Sequence, residues 1–281
     1  MGQDEGKDFN RFPKGADPAH LWGAGSEKDW MVIAQISDTH ILARSSEQAV
    51  GATRAENLRR CIADINRGGV DVVVHTGDSV HHGMAEEYAH LREILADLEA
   101  PLFLIPGNRD RHGALRVAFD HLSYLPRNGD FLHYAVEDQP IRLVALDSVA
   151  AGERKGVFCA RRLAWLEETL AREPDRPTIL FIHHPPFDIA RHYVGGYRRP
   201  EDARKLAAVV SRHPQIERLL CGHVHRLHRE SWGGTVATTM PSVAVDLRKG
   251  VDKAIEAAPL YLLHVASGED GLVSHTRVVT H

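Results

Sequence analysis

Cysteine is scarce in this 281-residue chain, with three residues at Cys61, Cys159 and Cys221. They are too few and too scattered for a disulfide framework, and no C-x-x-C pair offers a thiolate zinc site, so a reducing compartment is the simpler expectation. No stretch reaches the roughly 18 apolar residues of a membrane span, and the segment Met1 to Asn10 is acidic with no apolar core of signal type. The expected location is the cytoplasm, with no membrane partner. Excess positive charge is also missing: 34 Lys+Arg against 38 Asp+Glu leave a net charge of −4, so no long-range field would hold a nucleic-acid polymer. Gly23-Ala24-Gly25 has neither the third glycine nor the preceding strand of a dinucleotide fingerprint, and no Walker A sequence occurs. Cofactors of those kinds are not expected.

What is present reads as a folded chain. Apolar residues make up 43% and charged residues 26%, close to the globular average, and at roughly 150 residues per domain the length allows one large α/β domain or two small ones. Residues 1–29 have no period of 2 or 3.6 and read as an extended arm; residues 30–281 read as one domain, with about 241–281 completing a sheet and available as a cap or oligomer interface. Short apolar runs alternate with amphipathic stretches: Met31–Ile36, Val70–His75, Leu102–Ile105, Ile141–Leu146, Thr178–Ile182 and Arg218–Cys221. That is how strands buried on both faces read when helices cover them. Helices are expected from Thr53, with Glu56 completing a capping box, to Gly68, and over about Ala85–Glu99, Arg161–Arg172 and Glu201–His213. Phe131–Val136 with Ile141–Leu146, and Tyr261–Ala266 with Leu272–Val279, read as antiparallel hairpins. Hairpins mixed with helical crossovers predict two packed sheets with helices outside.

Histidine is abundant, at 19 residues, and its placement carries the chemistry. Metal-ligand side chains stand where five of the apolar runs stop: Asp38-Thr39-His40, Gly77-Asp78, Gly107-Asn108, His183-His184-Pro185-Pro186 and Gly222-His223-Val224-His225. The crevice beyond the carboxyl ends of strands is where α/β sheets bind ligands. On an extended segment Asp38 with His40, and His223 with His225, would point to one side. Imidazole, carboxylate and one amide without thiolate suit a transition metal, Mn, Fe, Zn or Co, rather than calcium or a structural zinc.

In these motifs the chain resembles the calcineurin-like metallophosphoesterase superfamily, whose pattern D-x-H, G-D, G-N-H-[DE], H and G-H-x-H runs across residues 31–225. Glu86-Glu87-Tyr88, Pro101 to Asn108 and His183 to Pro186 look like the branch containing class III cyclic-nucleotide phosphodiesterases and glycerophosphodiesterases. The resemblance implies a four-layer α-β-β-α sandwich of two mixed sheets. It implies that Asp38, His40 and His225 hold one metal, Asn108, His183 and His223 the other, and that Asp78 bridges them. It further implies a phosphodiesterase of small molecules, with a hydroxide shared by two cations as nucleophile, and a homo-oligomer, a dimer or higher.

The chain departs from the pattern at Arg109, where the family places a histidine that contacts phosphate and is a candidate acid for the leaving oxygen. A guanidinium stays protonated, so Arg109 can clamp phosphate oxygens but not donate a proton and recover it. Asn108 and Arg109 are therefore expected to bind substrate, joined by His81 and His192, and an acid is sought among His81, His82, His112 and His184, with Asn108, Arg109 and His184 placed as catalytic. The loop holding Arg191, His192, Tyr193, Arg198 and Arg199 reads either as a phosphate-gripping lid or as a solvated loop. A phosphomonoesterase or phosphonate-ester hydrolase with the same ligands is the alternative, and a non-catalytic scaffold is the third reading.

Overall fold

The computed structural model describes residues 30–46, 49–251, 256–267 and 271–280; the arm read over 1–29 lies outside them. Two sheets form the interior. One joins β1 (Trp30–Ile36), β2 (Val72–His75), β3 (Leu102–Leu104), β10 (Leu260–Ser267) and β11 (Gly271–Val278) in the order β11-β10-β1-β2-β3. The other joins β4 (Tyr134–Val136), β5 (Arg142–Leu146), β6 (Thr178–Ile182), β7 (Ile216–Cys221), β8 (His228–Trp232) and β9 (Thr235–Thr239) in the order β4-β5-β6-β7-β9-β8. The strands β1, β2 and β3 run parallel, as do β5, β6, β7 and β9, while β4, β8, β10 and β11 pair antiparallel. The helices are α1 (Ala49–Arg67), α2 (Ala85–Leu95), α3 (His112–Ala118), α4 (Ala160–Ala171) and α5 (Pro200–Val210).

Strand alternation sorts the core into layers. Leu143, Ala145, Ile179, Phe181 and Leu220 share a cluster with the first sheet, α1 and α2. Their neighbours Val144, Leu146, Leu180, Ile182, Leu219 and Cys221 pack instead with Leu166 and Leu170 of α4 and Leu206, Val209 and Val210 of α5. Period-two side-chain placement thus gives helix, sheet, sheet, helix: the expected four-layer α/β sandwich.

Boundaries differ from the sequence reading in places that have physical causes. Helix α1 begins at Ala49, so Thr53 is a turn inside it and is not its N-cap. Helix α2 stops at Leu95 rather than Glu99, because Asn66 of α1 donates to the Asp97 carbonyl (2.7 Å) and accepts from the Glu99 N–H (3.1 Å), satisfying groups that a longer helix would have paired internally. Three elements lie outside the sequence expectations: the short α3, and the strands of the hairpin β8–β9, whose turn is Gly233-Gly234 with φ of 58° and 82°. A Gly-Gly pair between Trp232 and Thr235 is a standard signal for such a two-residue turn, and it was legible.

A buried polar network ties the first sheet together and carries a pH consequence. His264 of β10 is fully buried, with Nε2 3.1 Å from Gln35 Oε1 and Nδ1 2.8 Å from Ser274 Oγ. Burial, with lesser contributions from Arg218 and His275, pushes its pKa down to about 3. The folded value is below the unfolded one, so the unfolded chain binds the extra proton first. Stability present above the unfolded pKa is lost as pH falls from 6.5 toward 3, each unit of depression being worth about 1.4 kcal/mol. His264→Gln should flatten the melting-temperature profile across that window; a profile as steep as the parent's would refute the assignment.

Candidate metal centre

Every sequence-predicted metal ligand stands at the carboxyl end of a parallel strand: Asp38 and His40 after β1, Asp78 after β2, Asn108 after β3, His183 after β6, His223 and His225 after β7. The two sheets meet there, since the Gln35 side chain donates to the Cys221 carbonyl (3.1 Å), His183 Nδ1 donates to the Thr76 carbonyl (2.8 Å), and the His223 N–H donates to Asp38 Oδ2 (3.0 Å).

The backbone at these positions is not extended, which corrects the expectation that Asp38 with His40 and His223 with His225 converge by strand alternation. Asp38, His40, Asp78, His223 and His225 all have positive φ, between 45° and 72°. A positive φ on a non-glycine residue costs about 1–3 kcal/mol and persists only where the surroundings over-determine it. Five of the six non-glycine residues so held among the described residues are predicted ligands, the sixth being Ala190. The sharp left-handed turns, not a strand's pleat, aim these side chains inward.

Two clusters result. Ligand-type atoms of Asp38, His40, Asp78 and His225 lie within 4.8 Å of one another, and so do those of His183, His184 and His223. In the first, His225 Nε2 is 3.1 Å from Asp38 Oδ1 and 3.3 Å from His40 Nε2. In the second, His183 Nε2 is 3.3 Å from both His223 Nδ1 and Asn108 Oδ1. Asp78 stands between: its Oδ2 is 3.7 Å from His40 Nε2 and its Oδ1 3.5 Å from His183 Nε2.

Hydrogen bonds behind the ligands set their tautomers. His183 Nδ1 and His225 Nδ1 each face a backbone carbonyl, Thr76 and Leu247, at 2.8 and 3.0 Å. A carbonyl only accepts, so both rings carry a hydrogen on Nδ1 and aim Nε2 at the cluster, as metal-binding imidazoles do. Asp38 Oδ1 is buried and accepts no hydrogen bond. Its other oxygen accepts from Ser37 Oγ (2.6 Å). Lone pairs converging on a buried oxygen without a donor fit cations.

Electrostatics agree. Burial first, then the charge of Asp38, push the Asp78 carboxyl up to about 8. Burial also opposes ionisation of Asp38, but His225, His183 and His40 outweigh it and hold that carboxylate well below its usual range. Burial lowers His183 and His40 and takes His223 down to about 3, so these rings stay neutral. Two enclosed carboxyls that cannot both ionise alone mark a site short of positive charge. This is a candidate dimetal site.

Comparison with known proteins decides the family. Residues 31–227 match the model of the calcineurin-like phosphoesterases. The chain belongs to that family. A probable glycerophosphodiester phosphodiesterase from Arcobacter nitrofigilis is 34% identical over 256 residues, covering 89% of this chain and 93% of that protein. The 3',5'-cyclic adenosine monophosphate phosphodiesterase of Escherichia coli K12 is 29% identical, covering 77% of each. Among solved structures, a dimetal phosphatase from Danio rerio superposes with a TM-score of 0.64 at 14% identity, covering 89% of this chain and 98% of the other, which speaks for the fold alone. This phosphoesterase is accordingly a metal-dependent hydrolase of phosphoric esters, and no helix among its described residues is long and apolar enough to cross a membrane.

The remaining expected site residues separate. The Arg109 N–H donates to Asp78 Oδ1 (2.7 Å), and the Arg109 charge favours ionisation of that same carboxyl. Asp110 does not pair with the Arg109 guanidinium, because that carboxylate accepts from the Gly107 and Ser79 N–H groups (2.8 and 3.1 Å) and from Tyr88 Oη (2.9 Å). His81 lies beside the first cluster, Nδ1 3.3 Å from His40 Nδ1 and 3.4 Å from Arg54 Nη1; burial and Arg54 push it down to about 4. His184 is fully buried with both ring nitrogens engaged, Nε2 donating to the Arg154 carbonyl (3.1 Å) and Nδ1 accepting from Ser148 Oγ (2.8 Å). His192 is exposed, and Arg226 lowers its pKa. The loop around it is anchored rather than free: Tyr193 Oη donates to Pro185, Tyr197 Oη to His184, and Arg198 and Arg199 pair with Glu153 and Asp202.

Supporting residues that sequence reasoning missed are Ser37 and Ser242, whose hydroxyl donates to the Asp38 carbonyl (2.7 Å), Tyr88, Asp110 and Asp147. Tyr88 and Asp110 stand within the motifs quoted above, and Asp147 ends the one interior run, Ile141–Leu146, that no metal motif follows.

Proposed function

We propose that this chain hydrolyses small-molecule phosphodiesters of the cyclic-nucleotide or glycerophosphodiester kind. The observation that carries the reading is Asp78, one oxygen toward each ligand cluster. Asp38, His40 and His225 would hold one ion, Asn108, His183 and His223 the other, with Asp78 common to both, and Fe and/or Mn suit the donors best, ahead of Zn or Co. When bound, such a pair acidifies water and offsets phosphoryl charge. The chain's own residues then orient the ester. Asn108 uses its carbonyl oxygen toward His183 and keeps its NH₂ to donate to a phosphate oxygen. The Arg109 guanidinium grips the same anion bidentately, while its main-chain N–H fixes the Asp78 carboxylate. His81 and His192 are placed as outer contacts to the substrate.

The relatives' names support a diester over a phosphomonoester or phosphonate ester, and the complete ligand set argues against a scaffold. A cytoplasmic homo-oligomer completes the reading. The test is a panel: metal-free protein reconstituted separately with Mn²⁺, Fe²⁺ and Zn²⁺, assayed on a diester, a monoester and a phosphonate ester of one chromogenic alcohol. The diester should turn over fastest. Faster monoester hydrolysis would favour the alternative, and no turnover with any metal would favour the scaffold.

A further inference from the structure

We propose that His112, held by Asp147, is the acid that protonates the leaving oxygen, the task left vacant by arginine at position 109. This rests on the phosphodiesterase reading above. Asp147 is fully buried at the end of β5, and its Oδ2 lies 2.6 Å from His112 Nε2. The Leu132 N–H (2.9 Å, to Oδ2) and the Val149 N–H (2.8 Å, to Oδ1) hold the carboxylate in place. Strand register puts this pair beside the metal centre. Strands β5 and β6 run parallel with Leu146 opposite Ile182, so the chain leaving β5 carries Asp147 and Ser148 past His183 and His184 at a strand spacing of about 4.8 Å. The Ser148 to His184 contact of 2.8 Å marks that level. From the other side, His112 begins α3, four residues after Asn108 in the same turn.

The other histidines near the motifs are engaged differently. His184 has no free nitrogen and no exposed surface. His81 faces Arg54 and His40. His82 turns its Nδ1 to the buried Glu87 carboxylate (2.8 Å) with its ring 57% exposed. The His112 ring is 20% exposed, and its Nδ1 makes no hydrogen bond among the described residues. The titratable and charged groups around the pair are Asp147 from β5, His133 preceding β4, and Arg162 from α4. His133 Nδ1 accepts the Asp147 N–H (2.9 Å), and burial pushes that ring down to about 4, so it stays neutral. Arg162 is turned to the Val149 carbonyl (2.5 Å). The Asp147 carboxylate is therefore engaged by one ring nitrogen, His112 Nε2, at 2.6 Å, with the Arg162 charge nearby.

In the step, a water oxygen forms a bond to phosphorus while the bond to the leaving oxygen breaks and its electron pair stays on that oxygen. The leaving oxygen takes the proton from His112 Nδ1, and the proton released by the attacking water returns the ring to its starting state. An alkoxide needs this proton and a nitrophenolate does not.

His112→Gln tests it with two esters, a glycerophosphodiester and bis(4-nitrophenyl) phosphate, alongside metal content and melting temperature. The expected result is a loss of about 10²–10⁴-fold in kcat on the glycerophosphodiester, with the alkaline limb of its pH–rate profile gone. The nitrophenyl ester, metal stoichiometry and melting temperature should be little changed. Equal losses on both esters, or no loss on either, would overturn the role. A parent enzyme inactive on both esters would instead overturn the diesterase reading, so the two failures are distinguishable.

Discussion

Asp78→Ala is expected to abolish metal-dependent ester hydrolysis, with kcat falling by at least about 10³-fold, because several kcal/mol of charge stabilisation depend on the paired ions and each 1.36 kcal/mol is a factor of ten. The reason is geometric. Asp78 is the one carboxylate with an oxygen toward each cluster, so its removal leaves neither cluster with an acidic ligand except Asp38. Metal stoichiometry measured with turnover should drop below the parent's. Folding should suffer far less, since burial and the Asp38 charge already oppose ionisation of Asp78 in the metal-free protein and the substitution relieves that repulsion. Retained turnover with unchanged metal content would refute the bridging role.

The second large effect comes from one methyl group. Gly77 precedes Asp78 at a φ of 91°, and a Cβ there would stand 2.6 Å from His183 Nδ1 and 2.7 Å from the Gly107 nitrogen. His183 Nδ1 is the atom bonded to Thr76, and the Gly107 N–H is the one that holds Asp110, so the intrusion breaks the support of both clusters. Backbone strain of about 1–3 kcal/mol and overpacking of similar size should add, giving Gly77→Ala a stability loss of roughly 2–6 kcal/mol together with loss of metal binding. A parent-like melting temperature and metal content would show that the glycine is dispensable. Gly107 and Gly222 are under the same constraint, for a Cβ on either would overlap Asp78 or Ser37.

These two sites show how far local sequence reaches. Apolar runs ending in Asp-x-His, Gly-Asp, Gly-Asn, His-His and Gly-His-x-His point to side chains that the structure gathers into two clusters, because strand ends and short polar motifs are local properties. The same holds for the β10–β11 hairpin. Local reading erred where a neighbouring element intervened: Asn66 of α1 closes α2 early, and the left-handed turns at Asp38, His40, His223 and His225 replace the extended geometry that spacing suggested.

The role of Arg109 illustrates the boundary. Its charge and place after Asn108 were visible, but that Asp110 is fully occupied by Gly107, Ser79 and Tyr88 was not, and only that occupancy leaves the guanidinium available for an anion. Likewise His112, His184 and His81 stood with His82 as candidate acids in the chain, His184 being the one placed as catalytic. Their hydrogen bonds to Asp147, Ser148 and Arg54 come from positions 35, 36 and 27 residues away. Ligand chemistry, strand pattern and family were thus written in the order of residues, since each depends on neighbours within a few positions. Which oxygen of Asp78 faces which cluster, and which imidazole nitrogens are hydrogen-bonded, were decided by contacts between remote strand ends, where packing two sheets face to face sets distances that no local pattern encodes.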